Sequence, residues 1–428
     1  MKTIMIKEYE SIISSDKEVP GYKSLPPIAF HQLEEFVLTS RNKTTDALDI
    51  MSISSRKGIG TVLTAKNYVG IISLKSGVVI EILPKIYSEE NGDTDGTKAK
   101  RLLFEMLRTL RNVPYKALQN ANVDIENTNI FEIFIRMFLD EVFSITKRGL
   151  KQGYETIEEN AMFFKGKLKF AQHIKANSVH KERNYIEYDV FHINRPENRL
   201  IKSTLQYLYK HSSSVKNRKD IKTLLSHFAD VDTSKNYKED FAKHIPNRKM
   251  KDYEKALSWC KVFLDGKSFV SFSGSEIAAA LLFPMELLFE SYIASCVKKI
   301  LPIDAFHISV QDRRYFLICD PGYRFALRPD IVLKRTCDSA VFVLDTKWKM
   351  LDKNRHNFGI SQADMYQMYV YQKKYGAEKV ILLYPRNENI GKKESFEMKS
   401  SDGMHVVVYF INMNDVKGSI EQLIHQQL

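Results

Sequence analysis

The stretch YRFALRPDIVLKRTCDSAVFVLDTKWKM, residues 323–350, holds two strand-like runs around the turn-prone KRTCD, and an antiparallel hairpin is its simplest reading. Centring the loop on Cys337 and Asp338 sets Asp330 directly opposite Asp345 on one face, with Cβ atoms about 5 Å apart. Two carboxylates so placed repel each other, and half-burial adds to the penalty unless a cation lies between them. Oxygen ligands with no neighbouring His or Cys favour a hard ion, Mg2+ or Mn2+. Lys347 lies two residues beyond Asp345, so alternation along the strand puts it on the same face. There a lysine can orient or deprotonate an attacking water and balance charge on a phosphate.

Upstream, EIAAALLFPMELLFESYIASCVKKI is expected to be a helix, in which Glu286 and Glu290 share a face at four-residue spacing; Glu290 is preferred as a third ligand. Downstream, SQADMYQMYVYQKKYG is expected to be a helix that carries Gln367 and Tyr371 on one face, to brace the site or touch a DNA backbone. Helix, strands, helix, and then a β-rich end suit an α/β domain.

Toward the N-terminus, TVLTAKNYVGIISL and GVVIEILPKI read as strands joined by a turn at Ser76 and Gly77. SEENGDTDGTKAK is expected to be a loop, followed by the helices KRLLFEMLRTLRN and NIFEIFIRMFLDEVFSITKRG, the second closed by Gly149. The aromatic residues of FEIFIRMFLDEVF fall at helical spacing and are expected in the core. From Leu150 to Val270 the text reads as mostly helical and basic, with PENRLIKSTLQYLYKHSS its clearest amphipathic helix. The expected architecture is a mixed α/β multidomain chain: a β-rich N-terminal domain over 1–150, a helical basic connecting region over 151–270, and a C-terminal α/β domain over 271–428.

The composition fits that architecture. Hydrophobic residues make up 44% and charged residues 27% of 428, enough to bury a core. The net charge of +12 favours polyanions such as nucleic acid. Cys260, Cys296, Cys319 and Cys337 form no CxxC pair, which argues against structural zinc or a disulfide framework and for a reducing cytoplasm. Neither a signal peptide nor a membrane span is read, and IAAALLFPMELLF is broken by Pro284 and Glu286. His173 and His192 have no second ligand at metal spacing, and the basic residues of 165–175 suit phosphate tracking or a solvated face equally.

Pro329-Asp330 and Asp345-Thr346-Lys347 resemble the pattern of the PD-(D/E)xK nuclease superfamily. More narrowly, YVGIISLKSGVVIEILPKI (68–86), FFKGKLKFAQHIKAN (163–177), RPENRLIKSTL (195–205) and MELLFESYI (285–293) resemble the McrC family, the nuclease partner of the McrB GTPase in restriction systems. The resemblance implies that 271–428 is a PD-(D/E)xK endonuclease domain hydrolysing DNA phosphodiesters with Mg2+ at Asp330 and Asp345 beside Lys347; the helix readings add Glu290 as the third metal ligand and Gln367 and Tyr371 as further catalytic residues. It implies a McrB-like AAA+ GTPase ring as partner, docked and stimulated by the region before about Leu150, with the ring reading double-stranded DNA in phage defence. The chain's own nearest approach to a P-loop, DGKS at 265–268, has Lys261 where the first glycine belongs. One active site cuts one strand, so double-strand cleavage implies two nuclease domains meeting. A stand-alone DNA repair nuclease and a non-catalytic DNA-binding adaptor are the competing classes.

Overall fold

The computed structural model describes residues 2–39, 50–85, 96–110, 130–243, 250–264, 277–302, 304–391 and 394–428. Among them the chain forms two compact units, one built from the residues up to 110 and from 277 onward, the other from residues 130 to 264. The three segments read from the sequence are laid out differently: the 1–150 and 271–428 segments contribute to the same unit, and the helix Ile130–Arg148 belongs to the other.

The N-terminal part of the first unit has strands β1 (Lys2–Lys7), β2 (Ser11–Ser14) and β3 (Lys23–Leu25), helix α1 (Pro27–Thr39), and strands β4 (Met51–Arg56), β5 (Gly60–Ala65), β6 (Tyr68–Leu74) and β7 (Val78–Leu83). The expected hairpin is β6–β7, antiparallel, turning at Ser76-Gly77 with Gly77 at φ 81°. TVLTAKNYVGIISL is two strands in two sheets: β5 lies in the order β3-β2-β5-β4, and β6 between β7 and a later strand. Leu33, Phe36, Leu63, Ile72 and Ile80 fill the core between α1 and these strands. Helix α2 (Thr97–Leu107) begins inside the expected polar loop, where Lys100 pairs with buried Glu81 at 2.8 Å; the remainder of that loop, apart from Gly96, and residues 111 and 112 of the expected helix lie outside the described residues.

In the second unit, α3 (Ile130–Arg148) ends at Gly149 as expected, and Phe131, Phe134 and Phe138 are buried with Trp259 and Phe263. The reading of 150–270 as mostly helical is corrected at its start. β8 (Gly153–Ala161), β9 (Lys167–Leu168) and β10 (Asn184–His192) form an antiparallel sheet with α4 (Phe170–Asn177) packed on it. β8 reads GYETIEENA, whose glutamates hide its β character until nine residues of β10 pair with it. Helices α5 (Pro196–His211), α6 (Val215–His227), α7 (Tyr237–Lys243) and α8 (Glu254–Leu264) follow.

Back in the first unit, IAAALLFP is strand β11 (Ile277–Pro284), antiparallel to β6, and not the start of a helix. Pro284 cannot continue a helix to its N-terminal side, and it caps α9 (Met285–Ile300) instead. The close approach of β11 needs Gly70, at φ 134°, where a Cβ would meet Leu281 O at 2.0 Å. β12 (Phe306–Val310), the ribbon β13 (Phe316–Ile318) and β14 (Arg324–Ala326), β15 (Ile331–Arg335) and β16 (Val341–Thr346) come next. They are followed by α10 (Gln362–Tyr375), β17 (Lys379–Pro385), β18 (Ser395–Lys399) and β19 (His405–Ile411). A C-terminal helix, α11 (Val416–Gln427), corrects the expected β-rich end. The main sheet has the order β12-β15-β16-β17-β19-β18, with β16, β17 and β19 parallel. Val343, Val380, Leu382, Val408 and Met368 of α10 form the core beneath it.

Candidate active site

The hairpin register is the expected one: Ile331 pairs with Leu344 and Lys334 with Val341, which sets Asp330 beside Asp345. The apolar run VFVL carries Asp345 into the middle of the sheet, between β15 and β17, where its side chain is 2% exposed. Asp330 lies one residue before β15, and its Oδ2 accepts from the Thr346 amide at 2.7 Å and the Thr346 hydroxyl at 2.6 Å. Thr346, the middle residue of the Asp-Thr-Lys triplet, thus fixes one carboxylate while Asp345 supplies the other.

Burial pushes Asp345 up to about 7, helped by the charge of Asp330 and opposed by Lys347. Burial also raises Asp330, against the Thr346 donors and Lys347. Glu290, on α9, is pushed up to about 7 by burial and then by Asp330, and Gln311 Nε2 donates to its Oε1 at 2.9 Å. Asp330 thus raises both Asp345 and Glu290, which places the two within electrostatic reach of one central carboxylate. Among the described residues, no three acidic, His or Cys side chains are already gathered as a ligand set. Instead the Lys347 ammonium stands 2.6 Å from Asp345 Oδ2, a buried oxygen that accepts no aligned hydrogen bond.

Lys347 is held by Gln367 Oε1 at 3.0 Å, and Gln367 Nε2 in turn donates to the Tyr371 hydroxyl at 2.8 Å. The four-residue spacing on α10 produces this relay, with Tyr371 buried at its base. Burial works against the Lys347 charge, but Asp345, Asp364 and Asp330 outweigh it and raise its pKa above the ordinary lysine value. These carboxylates favour the charged form of Lys347, which suits placing charge and orienting a water. Glu286 is elsewhere: its Oε1 accepts from Asn67 Nδ2 at 2.5 Å.

Four further residues went unnoticed in the sequence. Thr346 and Gln311 hold Asp330 and Glu290, and Asp364 lies 3.9 Å from Lys347 and 2.9 Å from Lys349. The fourth, Glu8 of the N-terminal segment, accepts from the Trp348 indole. Thr346 is signalled by its place inside the triplet, whereas nothing local signals Glu8.

A family described as McrBC 5-methylcytosine restriction system component matches residues 63–385. The chain belongs to the McrBC family. Glu290, Asp330, Asp345, Lys347, Gln367 and Tyr371 all lie inside the matched McrBC stretch, and Glu8 lies before it. A chain of the refined half-complex from the tetradecameric assembly of Thermococcus gammatolerans McrB AAA+ hexamers with bound McrC has the same fold. It is 18% identical with a TM-score of 0.64, over 99% of this chain and 100% of that one. A chain of the Thermococcus gammatolerans McrBC complex determined by electron cryo-microscopy is 19% identical with a TM-score of 0.49, over 70% of this chain and 88% of that one. No curated protein matches. Among the described residues of this McrBC-family chain, no helix is long and apolar enough to cross a membrane.

Proposed function

We propose that this chain is the McrC-type nuclease subunit of a restriction complex, a PD-(D/E)xK endonuclease that hydrolyses phosphodiester bonds of double-stranded DNA and works with a McrB-like AAA+ GTPase ring. The observation that carries the proposal is the meeting of Asp330, Asp345 and Lys347 on neighbouring strands, with Lys347 tied to Asp345 at 2.6 Å and to Gln367 at 3.0 Å. A surface charge pair has no need of a buried carboxylate held up at about 7 or of a glutamine relay behind its lysine.

The residues fit a hard divalent cation. Asp345 Oδ2 is buried with only the Lys347 ammonium beside it, Asp330 acts electrostatically on both Asp345 and Glu290, and the donor set is all oxygen. Asp330, Asp345 and Glu290 would hold Mg2+ or Mn2+, which supplies Lewis acidity at the scissile phosphate and lowers the pKa of an attacking water. The chain's own work is positional. Thr346 keeps Asp330 turned toward Asp345, Gln311 orients Glu290, and Gln367 with Tyr371 keeps the Lys347 ammonium where charge develops on the phosphate.

The test is a cleavage assay on double-stranded DNA with and without Mg2+, nucleotide and a purified GTPase partner. Asp345→Ala and Lys347→Ala should each abolish cutting while stimulation of the partner's GTPase persists. Cutting retained in both variants excludes the assigned site. Metal-dependent cutting by the isolated chain, without nucleotide or partner, favours a stand-alone repair nuclease, and no cutting under any condition favours an adaptor.

A further inference from the structure

The excursion that leaves the main sheet after β12 and returns at β15 has its two ends joined at the candidate site. Gln311 N donates to Asp330 O at 2.9 Å, and these residues are respectively the partner of Glu290 and a proposed metal ligand. From this root the β13–β14 ribbon projects. Its base is anchored: Leu327 N donates to Tyr315 O at 2.9 Å, Tyr315 packs edge-on against Tyr375, and Lys374 of α10 donates to Leu317 O at 3.1 Å.

Beyond that base the ribbon is exposed in a way that folding does not explain. Tyr323 is 74% and Phe325 71% exposed, and the exposed Arg324 lies between them. Phe325 has φ 57°, a left-handed conformation that strains a bulky residue and here gains no burial in return. Arg313, Arg324 and Arg328 are exposed, and among the described residues none forms an ion pair, whereas Arg314 is paired with Asp312 at 2.7 Å. Tyr323 packs one face on Phe316 at 5.2 Å between ring centroids and leaves most of its surface to solvent. Guanidinium groups without ion pairs beside these exposed aromatic rings, rooted between two acidic residues of the candidate site, match a polyanion with flat apolar faces.

We infer that the β13–β14 ribbon is a DNA-docking element that enters a groove of the duplex beside the scissile phosphate, with its arginines on phosphates and with Tyr323 and Phe325 against sugars or base edges. The inference rests on the nuclease reading for its ligand. A two-stranded ribbon has the cross-section that the major groove admits, and apolar side chains at a ribbon tip are the groups that wedge into DNA grooves. Charge disfavours a second copy of the chain as occupant, because Arg324 of the ribbon with Arg313 and Arg328 at its base outweighs the exposed Asp320 at its turn, and the chain as a whole is at +12.

The experiment measures binding of the full-length chain to a short fluorescent duplex in EDTA, as a function of salt. Tyr323→Ala and Phe325→Gly should each weaken binding by about tenfold or more, and Arg324→Ala should lower the salt slope by about one. Phe325→Gly also separates binding from folding: glycine takes the left-handed conformation freely, so the variant should melt at or above the wild-type temperature while losing affinity. Wild-type affinity in these variants, or no duplex binding by the wild-type chain, overturns the inference. A change of oligomeric state at unchanged DNA affinity assigns the ribbon to a contact between copies and also overturns it. Metal-dependent cutting by the wild-type protein, with nucleotide and the purified GTPase partner present, is scored in parallel. Cutting without a ribbon effect sinks the ribbon alone, and a ribbon effect without cutting sinks the nuclease reading and leaves the ribbon as a DNA-binding device.

Discussion

The Trp348 indole Nε1 lies 3.2 and 3.1 Å from the two carboxylate oxygens of Glu8, so the residue that follows Lys347 is fastened to the end of the first strand. Trp348 is 2% exposed and its ring packs on Phe289, the neighbour of Glu290. The N-terminal strands thereby reach both the lysine and the glutamate of the candidate site through one buried side chain.

Glu8→Ala strands the buried indole N–H without its acceptor, a loss of about 1–3 kcal/mol. Glu8→Gln keeps an acceptor oxygen and should recover most of that stability. Because Lys347 is one residue away, DNA cleavage should follow the same order, with the glutamine variant close to wild type and the alanine variant well below it. Melting temperature and cleavage rate measured together check this, and an alanine variant equal to wild type in both would remove the coupling.

A second relay stands behind the same lysine. Tyr371 fixes which way the Gln367 amide faces, and Gln367 presents its oxygen to Lys347. Gln367→Ala should lower cleavage by about 10- to 100-fold, the usual effect of removing a group that orients a catalytic one. Tyr371→Phe leaves the amide free to flip and should cost less. Both variants should keep partner binding, and wild-type cleavage by Gln367→Ala would show that Lys347 needs no second anchor.

These relays also mark how far the sequence could be read. The hairpin register was accessible because a short loop determines which residues pair, and Gln367 with Tyr371 because helical spacing is a local rule. Glu8 and Trp348 are 340 positions apart, and no spacing rule spans that distance. IAAALLF failed for a different reason: a short apolar run fits a buried strand as well as a helix, and pairing with β6 across Gly70 decides the matter. β8, with its glutamates, likewise gains its strand character from β10.

The strand assignment of that run can be tested at Gly70. An alanine Cβ there would meet Leu281 O at 2.0 Å, and φ 134° is outside the range that alanine adopts without strain. Gly70→Ala should therefore destabilise the protein by roughly 3 kcal/mol or more, since two backbones must separate. Denaturant unfolding measures the loss, and a midpoint equal to that of wild type would mean that β11 does not lie against β6.

The pH dependence of stability follows from the raised carboxyl groups. Asp345 and Glu290 are held at about 7 in the folded protein, whereas in the unfolded chain they titrate near 3.8 and 4.5. Between those limits the folded state binds more protons than the unfolded one, so their contribution to stability is full below about pH 4 and is lost as pH rises through 7. Glu8, also pushed up to about 7 by burial, adds to the same slope. Above pH 7 the site carboxylates are charged together, and a divalent cation gains most by binding there. In EDTA the melting temperature should fall from about pH 5.5 to about pH 8, and Mg2+ should raise it more at the higher pH. Asp345→Asn should flatten the slope and remove most of the Mg2+ shift, because the site loses one of its two central charges. A Mg2+ shift of equal size at both pH values, or one that survives in Asp345→Asn, would place the cation away from these carboxylates.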